Sequence, residues 1–215
     1  MEAWGKHLFY RFAGERTVHV HLGLFGTWRR HCPPPPQTHR QVRMRLADDH
    51  VVFDLTGPTA CSVVSPEGAD DIMARLGPDP LRSDADPELA WVKLSRRRGP
   101  VGVAIMDQSL VAGVGNVFRA EALYVRGIHP QRPARTLDHD EWDALWATLV
   151  TMMRRGVRSR RIVTVDADDP RVDDGRTRHI YKQERCARCQ TPVRRWELAG
   201  RWAYACERCQ PPWTD

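Results

Sequence analysis

The chain has 215 residues, enough for one large domain or two small ones. Hydrophobic residues make up 41% and charged residues 28%, which supports a buried core and excludes global disorder. Lysine plus arginine outnumber aspartate plus glutamate by 33 to 27; the resulting formal charge of +6 favours polyanionic partners such as nucleic acid.

No apolar run approaches the ~18 residues that a membrane helix needs. Met1 to Lys6 shows no basic stretch followed by an apolar one, so no secretory signal is read there and the expected setting is cytoplasmic. Lys6, Lys93 and Lys182 are the only lysines; the other basic residues are arginines, whose forked guanidinium suits phosphate oxygens. Codon bias toward arginine would give the same count, so local clusters carry more weight: Arg96-Arg97-Arg98, Arg154-Arg155 and Arg158 with Arg160-Arg161.

The first 65 residues read as strands. Leu8, Tyr10 and Phe12 alternate along one face, Ala13 to Arg16 supplies a turn, and Val18, Val20 and Leu22 alternate with Thr17, His19 and His21. Gln41 to Leu46 has strict period two, and Val51 to Leu55 and Ala60 to Val64 continue the pattern. Short alternating runs between Gly/Pro turns predict an antiparallel sheet or sandwich. Pro33 to Pro36 cannot donate to a ladder and reads as a stiff loop.

From residue 69 the period becomes helical. A short helix is expected over 69–76, closed by Gly77-Pro78. Asp86-Pro87-Glu88 is a helix start: a cap, a proline at the first position, then an acid. Asp138 to Arg155 places Trp142, Leu145, Trp146, Leu149, Met152 and Met153 at helical spacing, which reads as core. Residues 166–178 hold five aspartates and read as a mobile loop. No internal repeat is visible.

Cys186-Ala187-Arg188-Cys189 and Cys206-Glu207-Arg208-Cys209 are two Cys-x-x-Cys knuckles. A hairpin between them would bring four thiolates together as a closed tetrahedral Zn2+ site. Two disulfides are the alternative, disfavoured without an export signal. With no open coordination position, one structural zinc would fold the hairpin and do no chemistry. Arg188, Arg194, Arg195, Arg201 and Arg208 decorate it, with Trp196, Trp202 and Tyr204 interleaved, a basic–aromatic mixture typical of nucleic-acid contacts. Cys32 and Cys61 are isolated and read as inert thiols.

Between Asp107 and Asn116 runs a turn holding Gly113 and Gly115, followed by a helix from Val117 to Val125. Asn116 stands where that helix begins. It reads either as an ordinary cap or as part of a phosphate seat made by free amides and the helix dipole.

Met106-Asp107-Gln108 and Gly113 to Glu121 together resemble the helix–two-turn–helix of the formamidopyrimidine-DNA glycosylase / endonuclease VIII family. The Cys-x-x-Cys pair with its arginine-bearing hairpin resembles that family's zinc finger. Gly5-Lys6-His7-Leu8 and His21 to Gly26 are similar to two strands of its N-terminal sandwich, in the same order. The resemblance covers nearly the whole chain. It implies an α+β fold: an incomplete N-terminal antiparallel β-sandwich over 1–80, a helix–two-turn–helix domain over 81–165, the Asp-rich loop 166–178 and a four-Cys zinc finger over 179–215.

The resemblance further implies base-excision repair. Family members extrude an oxidised base from DNA, cleave its glycosidic bond through a Schiff base on an N-terminal proline, and eliminate the 3′ and 5′ phosphates. It assigns Lys6 to phosphate contact and β-elimination, and Arg201 to phosphate binding and δ-elimination. Asn116 would hold a phosphate beside the flipped nucleotide, Arg75 would contact DNA, and Leu24 would be the wedge entering the stack. The alternatives for Lys6 and Leu24, a solvated strand-end lysine and a strand-core leucine, stand on residue type alone.

The family's opening proline and glutamate have no counterpart here, since Gly5-Lys6 follows Met1 almost at once. Either the reading frame extends upstream of Met1, or the chain is a noncatalytic zinc-containing protein that binds damaged DNA. The segment Leu55 to Thr59 lacks the Arg-Phe wedge of the oxidised-purine branch, which points to oxidised pyrimidines. The expected partner is double-stranded DNA carrying a damaged base or abasic site, bound by a nucleoid-associated monomer. An RNA-binding zinc ribbon would fit the charge and cysteines but not the Gly113-to-Asn116 turn.

Overall fold

A computed structural model describes residues 1–214 except Pro35 and residues 167–175. The expected mobile loop therefore lies mostly outside the described residues. The chain divides into two compact units, Met1–Arg75 and Leu76–Asp215. The first is built on sheets and the second on helices with a terminal hairpin, so the fold is α+β.

Among its described residues the first unit holds seven strands: β1 (Glu2–Trp4), β2 (His7–Phe12), β3 (Arg16–His21), β4 (Thr27–His31), β5 (Val42–Ala47), β6 (Val52–Thr56) and β7 (Ala60–Val64). They form an antiparallel sheet of order β1-β2-β3-β7 and a second of order β4-β6-β5. Strands β2, β3 and β6 carry the buried apolar side chains: Phe9, Val20, Val52 and Leu55 are essentially inaccessible, and the Tyr10 ring tilts against Trp28 of the other sheet at 6.0 Å. Across β5 and β6, Arg45 grips Asp54 with both nitrogens (2.6 and 2.8 Å), and His31 of β4 lies 3.2 Å from the same carboxylate. Arg45 holds Asp54 below the usual carboxylate range.

β1 and β4 were not expected from alternation. β1 has three residues, too short for a period to register, and β4 (Thr-Trp-Arg-Arg-His) is dominated by polar residues. Helix α1 (Pro66–Met73) begins and ends three residues earlier than its periodicity suggests. Ser65 accepts a hydrogen bond from Gly68 N at 3.1 Å and Pro66 occupies the first helical position, so start chemistry outweighs the apolar pattern.

In the second unit, α2 (Pro87–Leu94) starts where expected, with Asp86 Oδ1 accepting from Glu88 N at 2.9 Å. Then come the single turn α3 (Val101–Ala104), α4 (Asn116–Val125) and the long α5 (His139–Ser159). Asp138 and Glu141 close a reciprocal capping box at the start of α5, and Arg160 ends it in the left-handed region. The core holds Trp142, Leu145, Leu149, Met152 and Met153 of α5 with Leu94, Ile105, Leu110, Val114 and Leu123. The helical stripe read from the sequence is thus core. A smaller cluster of Tyr124, Ile180, Cys186, Tyr204 and Cys206 joins α4 to the terminal hairpin, β8 (Arg194–Leu198) and β9 (Arg201–Ala205). Among the described residues, no helix is long and apolar enough to cross a membrane.

Candidate metal centre and nucleic-acid interface

The two cysteine knuckles meet. The Sγ atoms of Cys186, Cys189, Cys206 and Cys209 all lie within 4.8 Å of one another. Three pairs are closer: Cys186–Cys209 at 3.7 Å, Cys189–Cys206 at 3.4 Å and Cys189–Cys209 at 3.5 Å. Tetrahedral thiolates around Zn2+ at ~2.3 Å would stand ~3.8 Å apart. The donor set and spacing therefore fit one structural zinc, and none of the four cysteines is in a disulfide. The surroundings are built for such a centre. Tyr124 Oη lies 3.1 Å from Cys186 Sγ and accepts a hydrogen bond from Arg188 N at 3.2 Å. Gln210 closes the second knuckle, donating from Nε2 to the Ile128 carbonyl at 2.8 Å and accepting from Cys206 N at 3.2 Å. Cys32 and Cys61 belong to the first unit and are in no disulfide.

The glycine turn before α4 is braced from inside. Gln108 Oε1 accepts from Gly113 N at 3.0 Å, and its Nε2 donates to the Met106 and Val114 carbonyls at 2.8 and 3.0 Å. Gly113 has φ +89°, which a side chain would strain. Gly77 backs onto the same turn so closely that a Cβ would stand 2.4 Å from the Leu110 carbonyl oxygen. This packing fixes where α4 starts.

Asn116 is not the cap of α4. The cap is Gly115, which has no side chain to offer, and Asn116 is the first helical residue. Its carboxamide serves a longer-range purpose: Nδ2 donates to the Trp202 carbonyl of β9 at 3.1 Å, and Oδ1 accepts from Arg119. Arg119 Nη2 also donates to the Trp202 carbonyl, at 3.0 Å. The start of α4 and the start of β9 are thereby bonded together, with Arg201 exposed at the hairpin tip beside them. The guanidinium of Arg195 lies over the half-exposed Trp202 ring at 4.6 Å. A basic and aromatic surface thus surrounds Asn116 within the second unit.

Sequence reading gave no role to two charged residues of α4. Arg119 and Glu121 are both buried, at 2% and 0% exposure, and face different parts of the tail. Glu121 accepts from the backbone N of His179, Ile180 and Tyr181 at 2.6, 2.9 and 2.7 Å, and from Thr164 Oγ1 at 2.6 Å. A charged pair two residues apart inside a helical pattern is the only signal, and it resembles ordinary solvated helix surface.

In the first unit, Lys6 is exposed in the β1–β2 turn. Leu24 and Phe25 are 70% and 84% exposed at the β3–β4 turn, so Leu24 is not strand core. Arg75 is exposed just after α1. A feature missed in the sequence lies beside Lys6: His7 stacks on His19 and His21 (ring centroids 5.1 and 4.6 Å), and His7 Nδ1 is 2.8 Å from His19 Nε2. Burial, then the charges of His21, His19 and Lys6, lower the His7 pKa to about 4. The period-two pattern placed His19 and His21 on a strand, but stacking depends on cross-strand register, which alternation does not reveal.

A two-sheet unit, followed by a helical unit that has a braced glycine turn and ends in a four-cysteine finger hairpin, defines an architecture shared by a group of DNA-processing proteins. The model described as the formamidopyrimidine-DNA glycosylase N-terminal domain matches residues 1–58, and that of the formamidopyrimidine-DNA glycosylase H2TH domain matches residues 76–167. "Endonuclease 8 1" of Mycobacterium tuberculosis is 41% identical over 219 residues, covering 97% of this chain and 82% of that protein. The formamidopyrimidine-DNA glycosylase of Thermomicrobium roseum is 32% identical, covering 98% and 81%. Among solved structures, Lactococcus lactis Fpg bound to abasic-site DNA superposes with TM-score 0.79 at 20% identity, covering 98% of this chain and 81% of that one. Its complex with FAPY-dG DNA gives TM-score 0.81. The chain belongs to the formamidopyrimidine-DNA glycosylase / endonuclease 8 family.

Proposed function

We propose that this protein works in base-excision repair as a DNA glycosylase with abasic-site lyase activity on oxidised bases, bound to double-stranded DNA as a nucleoid-associated monomer. The observation that carries the reading is the bonded junction of Asn116, Arg119 and the Trp202 carbonyl beside Arg201, in a chain 41% identical to a protein named Endonuclease 8 1. The amide of Asn116 and the guanidinium of Arg201 suit a phosphodiester, and the positive end of α4 adds to that attraction.

In this reading Lys6 holds a phosphate and assists β-elimination, and Arg201 assists loss of the second phosphate. Asn116 and Arg75 fix the backbone. Leu24, an exposed apolar residue on a turn, fills the gap left by the flipped nucleotide. The attacking amine and its acid are assigned to none of the 215 residues. The working domains are the sandwich at 1–80, the helix–two-turn–helix at 81–165 and the finger at 179–215. One zinc, held by Cys186, Cys189, Cys206 and Cys209, would fix the hairpin without entering the chemistry. Oxidised pyrimidines are the favoured substrates, since Leu55 to Thr59 carries no Arg-Phe pair.

Borohydride trapping on duplexes with an abasic site tests the reading. A covalent adduct is expected. Its absence, together with tight lesion-selective binding, would instead support the noncatalytic damaged-DNA-binding reading.

A further inference from the structure

Arg119 is buried to 2% exposure, yet its acceptors are all neutral: the Gly102 carbonyl at 3.4 Å, the Trp202 carbonyl at 3.0 Å and Asn116 Oδ1. Two part-buried arginines elsewhere in the protein do meet carboxylates: Arg45 bonds Asp54 and Arg132 bonds Glu141. A guanidinium withdrawn from water without a counter-charge is costly, and a protein retains one where something else supplies the charge. A charged neighbour makes matters worse. Burial first, then the positive Arg201, lower the Arg119 pKa to about 10. Two arginines and an amide therefore converge at the start of α4 with no anion among them.

We propose that Arg119 is the positioning residue of the phosphate seat: it locks the Asn116 carboxamide to the first residues of β9, and its unbalanced charge is neutralised by the phosphodiester that Asn116 and Arg201 receive. The inference rests on the phosphate-seat reading given above. Arg119 does not itself touch the ligand, being covered; it acts through Asn116, the hairpin backbone and its field. Its three acceptors lie on α3, α4 and β9, so one side chain sets the distance between the amide on the helix and the arginine on the hairpin. Without an anion the seat is self-repelling; with one it closes.

Two measurements on the zinc-loaded full chain test this. The first uses no DNA. Asn116→Asp places a carboxylate against Arg119, and its melting temperature at low salt should rise by more than about 4 °C, beyond what an acid at a helix start supplies alone. A smaller rise, or a fall, overturns the claim of an unmet charge. The second follows anisotropy of a duplex bearing a tetrahydrofuran abasic analogue across a salt series. Arg119→Gln should bind about tenfold more weakly, with the slope of log affinity against log salt reduced by about one. Arg119→Lys should keep the wild-type slope, and it decides the matter should the glutamine variant not fold. Wild-type affinity and slope in Arg119→Gln, or a slope lowered in Arg119→Lys, overturns the proposal. Failure of the wild type to bind any duplex would instead count against the functional reading, while the melting measurement still judges Arg119.

Discussion

Arg201 and His7 show how much a single side chain depends on its neighbours. Arg201 is exposed, so its truncation removes no packing, and relief of its repulsion with Arg119 should if anything raise stability slightly. If its role is phosphate contact, Arg201→Ala weakens DNA binding and lowers the salt slope by about one in the same anisotropy series; an unchanged slope removes that role. His7 behaves differently because it titrates. Its folded pKa of about 4 lies below the ordinary value of 6.5. Below 6.5 the unfolded chain takes up a proton that the folded one refuses, so stability is full above pH 6.5 and declines as pH falls toward 4. His19 and His21 are lowered too and add to the trend. Urea midpoints at pH 7 and pH 5 should differ measurably, and His7→Gln should narrow the gap; an equal gap in the variant rules out the stack as the cause. Lys6 and Asn116 were visible as residues beside motifs. The histidine stack and the true partners of Asn116 were not, because register and long-range bonds are set by tertiary packing.

At the level of elements, α4 and α5 divide the labour. Helix α5 supplies bulk: Trp142 is fully buried, and Trp142→Ala should cost ~3–5 kcal/mol in equilibrium unfolding. Helix α4 supplies polar anchoring. Removing the carboxylate in Glu121→Ala strands three buried amides and should cost on the order of 3 kcal/mol or more, read by the same method. A cost below ~1 kcal/mol would mean that water satisfies those amides. The long helix was legible from its 3.6-residue stripe. The short elements were not: α3 has four residues and β1 three, barely one period of a helical or strand pattern and too few for a repeat to show.

For the molecule as a whole, the cysteine spacing was the most legible feature, since two knuckles with sixteen residues between them have few other uses. The small core against α4 includes Cys186 and Cys206, so a metal held by the four thiolates would couple its binding to folding of the tail. Chelation or Cys206→Ser should therefore abolish the near-ultraviolet signal of Trp196 and Trp202 and lower the melting temperature. Retention of both would show that the hairpin folds without metal. The overall charge was legible too, but not its local balance: composition records that arginines exceed acids, while the structure shows which of them meet a carboxylate, as Arg45 and Arg132 do, and that the buried Arg119 meets only neutral acceptors.

The way α4 holds the tail has an evolutionary consequence. Glu121 takes hold of main-chain amides at residues 179–181, and Asn116 with Arg119 takes hold of a main-chain carbonyl at Trp202. Such attachment is blind to side-chain identity. Drift could therefore rewrite the outward residues of the finger without loosening its mooring, and a finger transplanted from a distant relative should dock on this α4 so long as its backbone follows the same path.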